Sequence, residues 1–481
     1  ATSYHYRLGQ ALYERALAED SLGRSNEAER DLVAAIAESE LQREKIMSLE
    51  DRISYFDRTR EIFDTMIWFQ LERRQRPEVA FRYSEQAKAR VLQDWLLLHP
   101  VGGPVSSRVE GTGQGFLNVA SLQEHLSQDT AVVEYAVLPK RLVIWVLRRT
   151  DFKVETVAID AKDLGDLVRG LIRALKEGRK ADFLKTSSKL HEVLVRPVAG
   201  HLGPGDRIVT IPDGALHTLS FALLRDGRTG RYLVQDHVLS TAPSARIMVT
   251  SLQRDESLTR QRDPRALVVV DPAFDQALYS LPRLRGAETE AVIARIFPDS
   301  EVLSDRDATR SAFLRLAGDY EMIHFGGHSL VNTEFPLLSQ MLFAGDPEDP
   351  TRGVLYSGDI LKQRFERTRL AVLASCSTAV GRISRTEGVE NLARPFLAAG
   401  VPAVIASLWD VDDQVTADFF MRFYRHLGQG FDVAGALRAT QIESIEHGSG
   451  HAADPLAWGA FEVIGANSPS RIEHARGDGK P

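Results

Sequence analysis

From residue 1 to 99 apolar and small side chains recur at three- and four-residue steps, as in ALYERALAEDSLGRSNEAERDLVAAIAESE. That period places them on one face of a helix, so the whole stretch is predicted to be helical. Gly23 interrupts the pattern where one helix should end and the next begin, because glycine adopts the left-handed cap conformation at no steric cost. Ala28 and Ala35 in NEAERDLVAAI, and Ala80 and Ala87 in EVAFRYSEQAKAR, repeat one spacing. Small side chains so placed let two antiparallel helices approach closely. Pro77 suits the first turn of a helix, where its missing N–H costs nothing.

The pattern then changes. Residues 100–116, PVGGPVSSRVEGTGQGF, are Gly-, Pro- and Ser-rich and are predicted to be a linker. Their GTGQG follows no strand and the chain has no Walker lysine motif, so nucleotide binding is not expected. From residue 117, TAVVEYAVL and RLVIWVL are β-rich runs separated by Pro139 and Lys140, with FKVETVAI after them. Helical stretches are expected at about 161–176 and 182–199, then a short strand, RIVTIP. ALVVVDP opens a second series, in which EMIHFGG, LAVLASC and AVIASLW have the length and apolarity of central parallel strands. GAETEAVIARIF, TRSAFLRLAG, TADFFMRFYRHL and VAGALRATQIESI are the helices expected to cover them. Alternating β and α elements imply an α/β fold with a parallel sheet. The tail from 467 is polar and expected to be mobile.

At 481 residues the chain has material for about three domains. Its 43% apolar and 26% charged residues exclude a disordered or collagen-like polymer. A formal charge of −7 argues against a dedicated nucleic-acid binder. No apolar run is long enough for a membrane helix, and the opening ATSYHYRLGQ has no charged-then-apolar leader, so a cytoplasmic location is expected. The single cysteine, Cys376, permits no internal disulfide and makes a thiolate zinc site improbable.

That cysteine follows LAVLAS, and His328 follows MIHFGG. In an open parallel sheet, ligands sit at the carboxyl ends of the strands. If these two strands are neighbours, an imidazole and a thiol meet across one crevice, which is what a cysteine nucleophile needs. Gly326 and Gly327 stand where a packed strand would prefer side chains, and Ser377 and Thr378 are unsuited to a continuing buried strand. His324, four residues before His328, is read as a strand histidine rather than half of a metal site, and His217 as structural.

The helical segments resemble degenerate tetratricopeptide repeats. IHFGGHS, VLASCSTAVG, EGVENLARPFLAAGVPAVIASLWDVDD, FYRHL, ALRATQ and DPLAWGAFEVIG, in that order, resemble the CHAT domain, a caspase-like cysteine peptidase domain related to separases and caspases. IPDGALHTLSFALL, APSAR and LPRLRGAETEA resemble its earlier blocks, and SEQAKARVLQDWL the helix that joins repeats to it. The resemblance covers roughly residues 54–465. It implies a helical-repeat module (1–99), the linker, a caspase-like pseudo-protease half (117–260), an active peptidase half (261–466) and a flexible tail (467–481). The implied fold is α/β, a caspase-like parallel-sheet sandwich preceded by an all-α module.

The same resemblance implies a cysteine endopeptidase with Cys376 as nucleophile and His328 as general base, needing no metal or organic cofactor. Backbone N–H groups of Cys376 and Ser329 would form the oxyanion hole. The residue after the histidine is usually Gly in such peptidases, and the Cβ of Ser329 bears on activity rather than fold. SLWDVDD resembles the separase segment whose acid recognises a basic P1 side chain; Asp413 takes the matching position, with Asp410, Asp412, Glu387 and Trp409 as further pocket residues. The plainer readings are that Asp412 or Asp413 caps the following helix, that Glu387 serves a helix N-terminus, and that Trp409 and Trp458 are core aromatics. Expected partners are a protein substrate and a regulatory protein held by the repeats, with no membrane or nucleic acid; bacterial defence is a biological setting the family suggests. Two other classes compete: a serine hydrolase built on GHSLV with Ser329 as nucleophile, and a catalytically silent scaffold for protein assembly.

Overall fold

The structure, a computed structural model, describes residues 2–46, 49–88, 92, 96, 118–258, 264–285, 292–297, 299–346, 352–375, 382–384, 388–390 and 392–466. Four helices come first: α1 (Thr2–Ser21), α2 (Ser25–Lys45), α3 (Leu49–Glu72) and α4 (Pro77–Gln86). Gly23, at φ +76°, makes the turn from α1 to α2, and Pro77 occupies the first turn of α4. Each helix packs on the next in sequence. Ala28, Ala35, Ala80 and Ala87 are fully buried, so the helices close to a distance that larger side chains would forbid. These hairpins fit tetratricopeptide repeats. The expected linker at 100–116 and the tail from 467 lie outside the described residues.

Beyond them the strands are β1 (Thr130–Leu138), β2 (Arg141–Arg148), β3 (Asp151–Val157), β4 (Arg207–Ile211), β5 (Val238–Thr241), β6 (Ala266–Pro272), β7 (Glu301–Asp305), β8 (Met322–Gly326), β9 (Ser329–Leu330), β10 (Gln340–Leu342), β11 (Val354–Tyr356), β12 (Leu370–Leu373), β13 (Arg382–Ser384), β14 (Gly388–Glu390), β15 (Ala403–Ser407) and β16 (Phe461–Gly465). Eleven of them form one sheet in the order β3-β2-β1-β4-β5-β16-β15-β12-β8-β6-β7. The pairs are mostly parallel; β1-β2, β2-β3 and β15-β16 are antiparallel. Because β16 is parallel to β5 but antiparallel to β15, the two series of strands run in opposite directions, and their carboxyl ends lie on opposite edges. Helices α5 (Ala161–Lys176), α6 (Lys180–Leu194), α7 (Ala245–Ser257), α8 (Arg310–Leu316), α9 (Asp413–Gly428) and α10 (Val433–His447) complete the frame.

Two expected helices differ in the structure, and β5, β7, β9, β10, β11, β13, β14 and β16 are strands the sequence did not lead us to expect. The helix expected to reach residue 199 ends at Leu194 and continues as a 3-10 turn, Arg196–His201, because Pro197 has no N–H for the α pattern. GAETEAVIARIF yields one 3-10 turn, Val292–Arg295, in its described part.

The helical module docks through a buried polar seam. Arg60 on α3 donates to Asp64 at 2.7 Å and to Asp213 at 2.9 Å, and Asp213 accepts the Val137 N–H of β1 at 2.7 Å. Lys88 donates to Glu134 of β1 at 2.7 Å, and Glu85 accepts from the N–H groups of Ala245 and Arg246 where α7 starts. Phe81 packs edge-on against Trp145 and Phe152 beside these groups. Among the described residues no helix is long and apolar enough to cross a membrane.

Candidate active site

β8 and β12 are parallel neighbours in the sheet, with Leu370 opposite Met322 and Leu373 opposite Phe325. Both strands are completely buried, which fixes their register. The chain therefore leaves both at the same edge. At the end of β8 it folds back over Phe325: a Cβ on Gly327 would come 2.5 Å from that ring, so the residue before His328 has room only for hydrogen.

His328 is held on three sides. Its Nε2 lies 2.8 Å from the Pro282 carbonyl oxygen, and its ring stands edge-on to Phe274 at 5.0 Å. A carbonyl only accepts, so Nε2 carries the proton, and in a neutral ring Nδ1 is the basic nitrogen. The His328 carbonyl accepts from Leu342 N at 3.0 Å, tying it to β10. The peptide group between His328 and Ser329 is trans, so the Ser329 N–H points the opposite way, away from β10.

On the β12 side, Ser375 is fixed from two directions. Its carbonyl accepts from Ser407 Oγ at 2.8 Å, and its hydroxyl lies 2.7 Å from Ser329 Oγ. The residues flanking His328 and Cys376 thus touch. Cys376 itself, with Ser377, Thr378 and Glu387, lies outside the described residues.

β15, beside β12, delivers the acidic loop to this edge. Asp412 is the N-cap of α9, its Oδ1 accepting from Gln414 N at 3.0 Å and Val415 N at 3.3 Å. Asp413 is the first helical residue and Asp410 is exposed. Arg285 binds both carboxylates: its guanidinium is 2.6 Å from Asp412 Oδ2 and 3.2 Å from Asp413 Oδ1, and its backbone N–H also donates to Asp413. Partial burial works to raise the Asp413 carboxyl, but these contacts outweigh it and hold it below its ordinary value. Trp409 is 2% exposed and gives its indole N–H to the Leu456 carbonyl at 2.7 Å, which makes it a core aromatic at the base of the loop.

The sequence assigned no site role to Phe274, to Pro282 and Arg285 within LPRLRGAETEA, or to Ser375 within VLASCSTAVG. A carbonyl oxygen has no residue signature, and an arginine in a loop names no partner. His324 is a buried strand histidine 3.2 Å from the Tyr424 hydroxyl. His217 is pushed down to about 4 by burial, against the pull of Asp213. Ser329 sits in β9, paired with β10, and not on the sharp strand-to-helix turn a serine elbow requires. Among the described residues the grouping with metal-ligand character is His191, Glu192 and Asp226, whose carboxylates are already engaged by Arg196 and Arg228.

A family model described as "CHAT domain" matches residues 184–466. Tetratricopeptide repeat protein 28 of Mus musculus is 27% identical over 333 residues, which is 59% of this chain and 13% of that protein. Its Homo sapiens counterpart is 25% identical over 346 residues, 61% of this chain and 14% of its own length. The chain therefore spans only a small part of these relatives. In two crystal structures of the Saccharomyces cerevisiae separase–securin complex, separase-like folds match with a TM-score of 0.55. They cover 90% and 91% of this chain, and 37% and 38% of the solved chains, at 12% and 11% identity. With its large mostly parallel sheet, caspase-like fold and N-terminal helical repeats, this chain belongs to the CHAT domain family.

Proposed function

We propose that the protein is a cysteine endopeptidase. The observation that carries this reading is the meeting of β8 and β12 at one edge, with Ser329 against Ser375 and His328 oriented by the Pro282 carbonyl. In the proposed reaction, Nδ1 of His328 takes the proton of the Cys376 thiol. The sulfur attacks the peptide carbonyl carbon, and the N–H groups of Ser329 and Cys376 receive the oxyanion. On collapse the C–N bond breaks and His328 returns its proton to the leaving amine. Water, deprotonated by the same imidazole, then hydrolyses the thioester and frees the sulfur.

Asp413 is proposed as the acid for a basic P1 residue, with Asp412 and Asp410 beside it in the loop and Glu387 as a further candidate acid, while Trp409 supports the loop from the core rather than lining the pocket; a carboxylate facing a guanidinium gives charge-assisted selectivity. Division of the chain near 117 and 260 into pseudo-protease and active halves is part of the same reading. So is regulation by a protein partner: the helical repeats support it, and the structurally similar separases were solved as complexes with securin. A peptide library, with Cys376→Ala as blank, tests the reaction. Cleavage after Arg or Lys should vanish in Cys376→Ala and fall at least ~100-fold in His328→Ala, both remaining folded. Cleavage retained by Cys376→Ala sinks the assignment, and an unchanged basic preference in Asp413→Ala sinks the pocket. If no peptide is cut while a partner still assembles on the repeats, the scaffold reading takes its place.

A further inference from the structure

The segment leaving β6 reaches the site twice. Pro282 orients His328, and three residues later Arg285 lies against the start of α9. Arg283, between them, anchors the segment through Asp271 at 2.6 Å and Asp305 at 2.9 Å, and Leu284 N donates to Asp271 at 3.1 Å. The acid pair suited to a substrate's basic side chain thus already holds a guanidinium of its own chain. Asp412 has only Oδ2 to offer, since Oδ1 caps α9, and Arg285 takes it. Asp413 receives both the side chain and the backbone N–H of Arg285.

We propose that Arg285 is a built-in competitor for the basic-residue subsite, setting how strongly a basic peptide must bind in order to enter. This rests on the reading of Asp412 and Asp413 as that subsite. An incoming arginine or lysine needs the same carboxylate lone pairs, so binding requires Arg285 to swing away. The arrangement suits exchange: the Arg285 side chain is 71% exposed and that of Asp412 48%, and such pairs are weak and screened by salt. The fraction of molecules with the subsite free scales the apparent affinity. The backbone at 282–284 stays anchored while the side chain leaves, so His328 keeps its orientation.

The test uses the full chain carrying Cys376→Ala, with and without Arg285→Ala, and two labelled peptides that differ only in arginine or norleucine at the basic position. Fluorescence anisotropy reads the affinity, and thermal melts verify the fold. Arg285→Ala should bind the arginine peptide about fivefold tighter, as loss of an exposed pair allows, with no gain for norleucine. Arg285→Lys should behave like the parent. Raising salt should bring parent and Arg285→Ala together. In the Cys376-intact chain the same change should lower KM and leave kcat unaltered. A gain under about twofold, an equal gain for both peptides, or no binding by either chain overturns the proposal. A lower kcat without tighter binding also overturns it, by marking Arg285 as a positioning residue. Tighter binding with no hydrolysis by any variant would leave the competitor standing and remove the peptidase reading instead.

Discussion

Arg60→Leu is the sharpest test of how the helical module is joined to the sheet. Arg60, Asp64 and Asp213 have side chains 2%, 3% and 4% exposed, so removing the cation strands two carboxylates away from water. Burial pushes the Asp213 carboxyl up, but Arg60 and Lys88 outweigh it and hold the carboxyl below its ordinary value. Breaking such a buried cluster by deleting one partner costs about 3–5 kcal/mol. The sign with pH follows from linkage. In the native chain Asp213, with its lowered value, contributes stability above the unfolded-state carboxylate range and loses it as pH falls through the folded value. In Arg60→Leu the burial that works against the Asp213 carboxylate is no longer offset by Arg60, so the penalty of the stranded charge should be full at neutral pH and shrink as acid protonates it. Urea unfolding of both chains at pH 7 and pH 4.5 should show a wide gap at neutrality that narrows in acid. Adding Asp64→Leu and Asp213→Asn should recover most of the loss, with the Asn oxygen still accepting the Val137 N–H. A loss below about 1 kcal/mol, or a gap that ignores pH, would refute the reasoning, because an exposed pair would behave that way.

Two further outcomes concern the sheet and the site. Glu462 on β16, pushed up to about 7 by burial with the Thr241 hydroxyl bond opposing, contributes stability that is complete below the ordinary carboxylate range and lost as pH rises through about 7. Glu462→Gln should therefore exceed the parent by about 2–3 kcal/mol at pH 8 and by little at pH 5, judged from urea midpoints; parallel pH profiles would contradict this. Gly327→Ala should displace the Phe325 ring, costing about 1–3 kcal/mol in unfolding and lowering kcat through His328; a variant with unchanged stability and turnover would show that the turn has slack.

Much of this architecture was legible because it is local. Three- and four-residue spacing marked α1 to α4, and Gly23 and Pro77 marked their ends, since both act on their own backbone torsions. The apolar runs of β6, β8, β12 and β15 were visible for the same reason, and Asp412 before α9 matched the cap that its side chain makes. In the sequence a histidine and a cysteine each follow an apolar run, and the order of the blocks supplied the family.

What the amino-acid order alone determined was therefore most of the longer helices, the strands β1 to β4, β6, β8, β12 and β15, and the residue types at their ends. Only the tertiary structure decided that β8 lies beside β12, that β16 joins two oppositely running series of strands, and that Pro282 and Arg285 return to His328 and Asp413. Those contacts join residues 46 and 128 positions apart through a carbonyl oxygen, a backbone N–H and exposed charges. Groups of that kind carry no periodicity. They are selected by where packed strands and helices bring the chain back, which depends on the whole core at once.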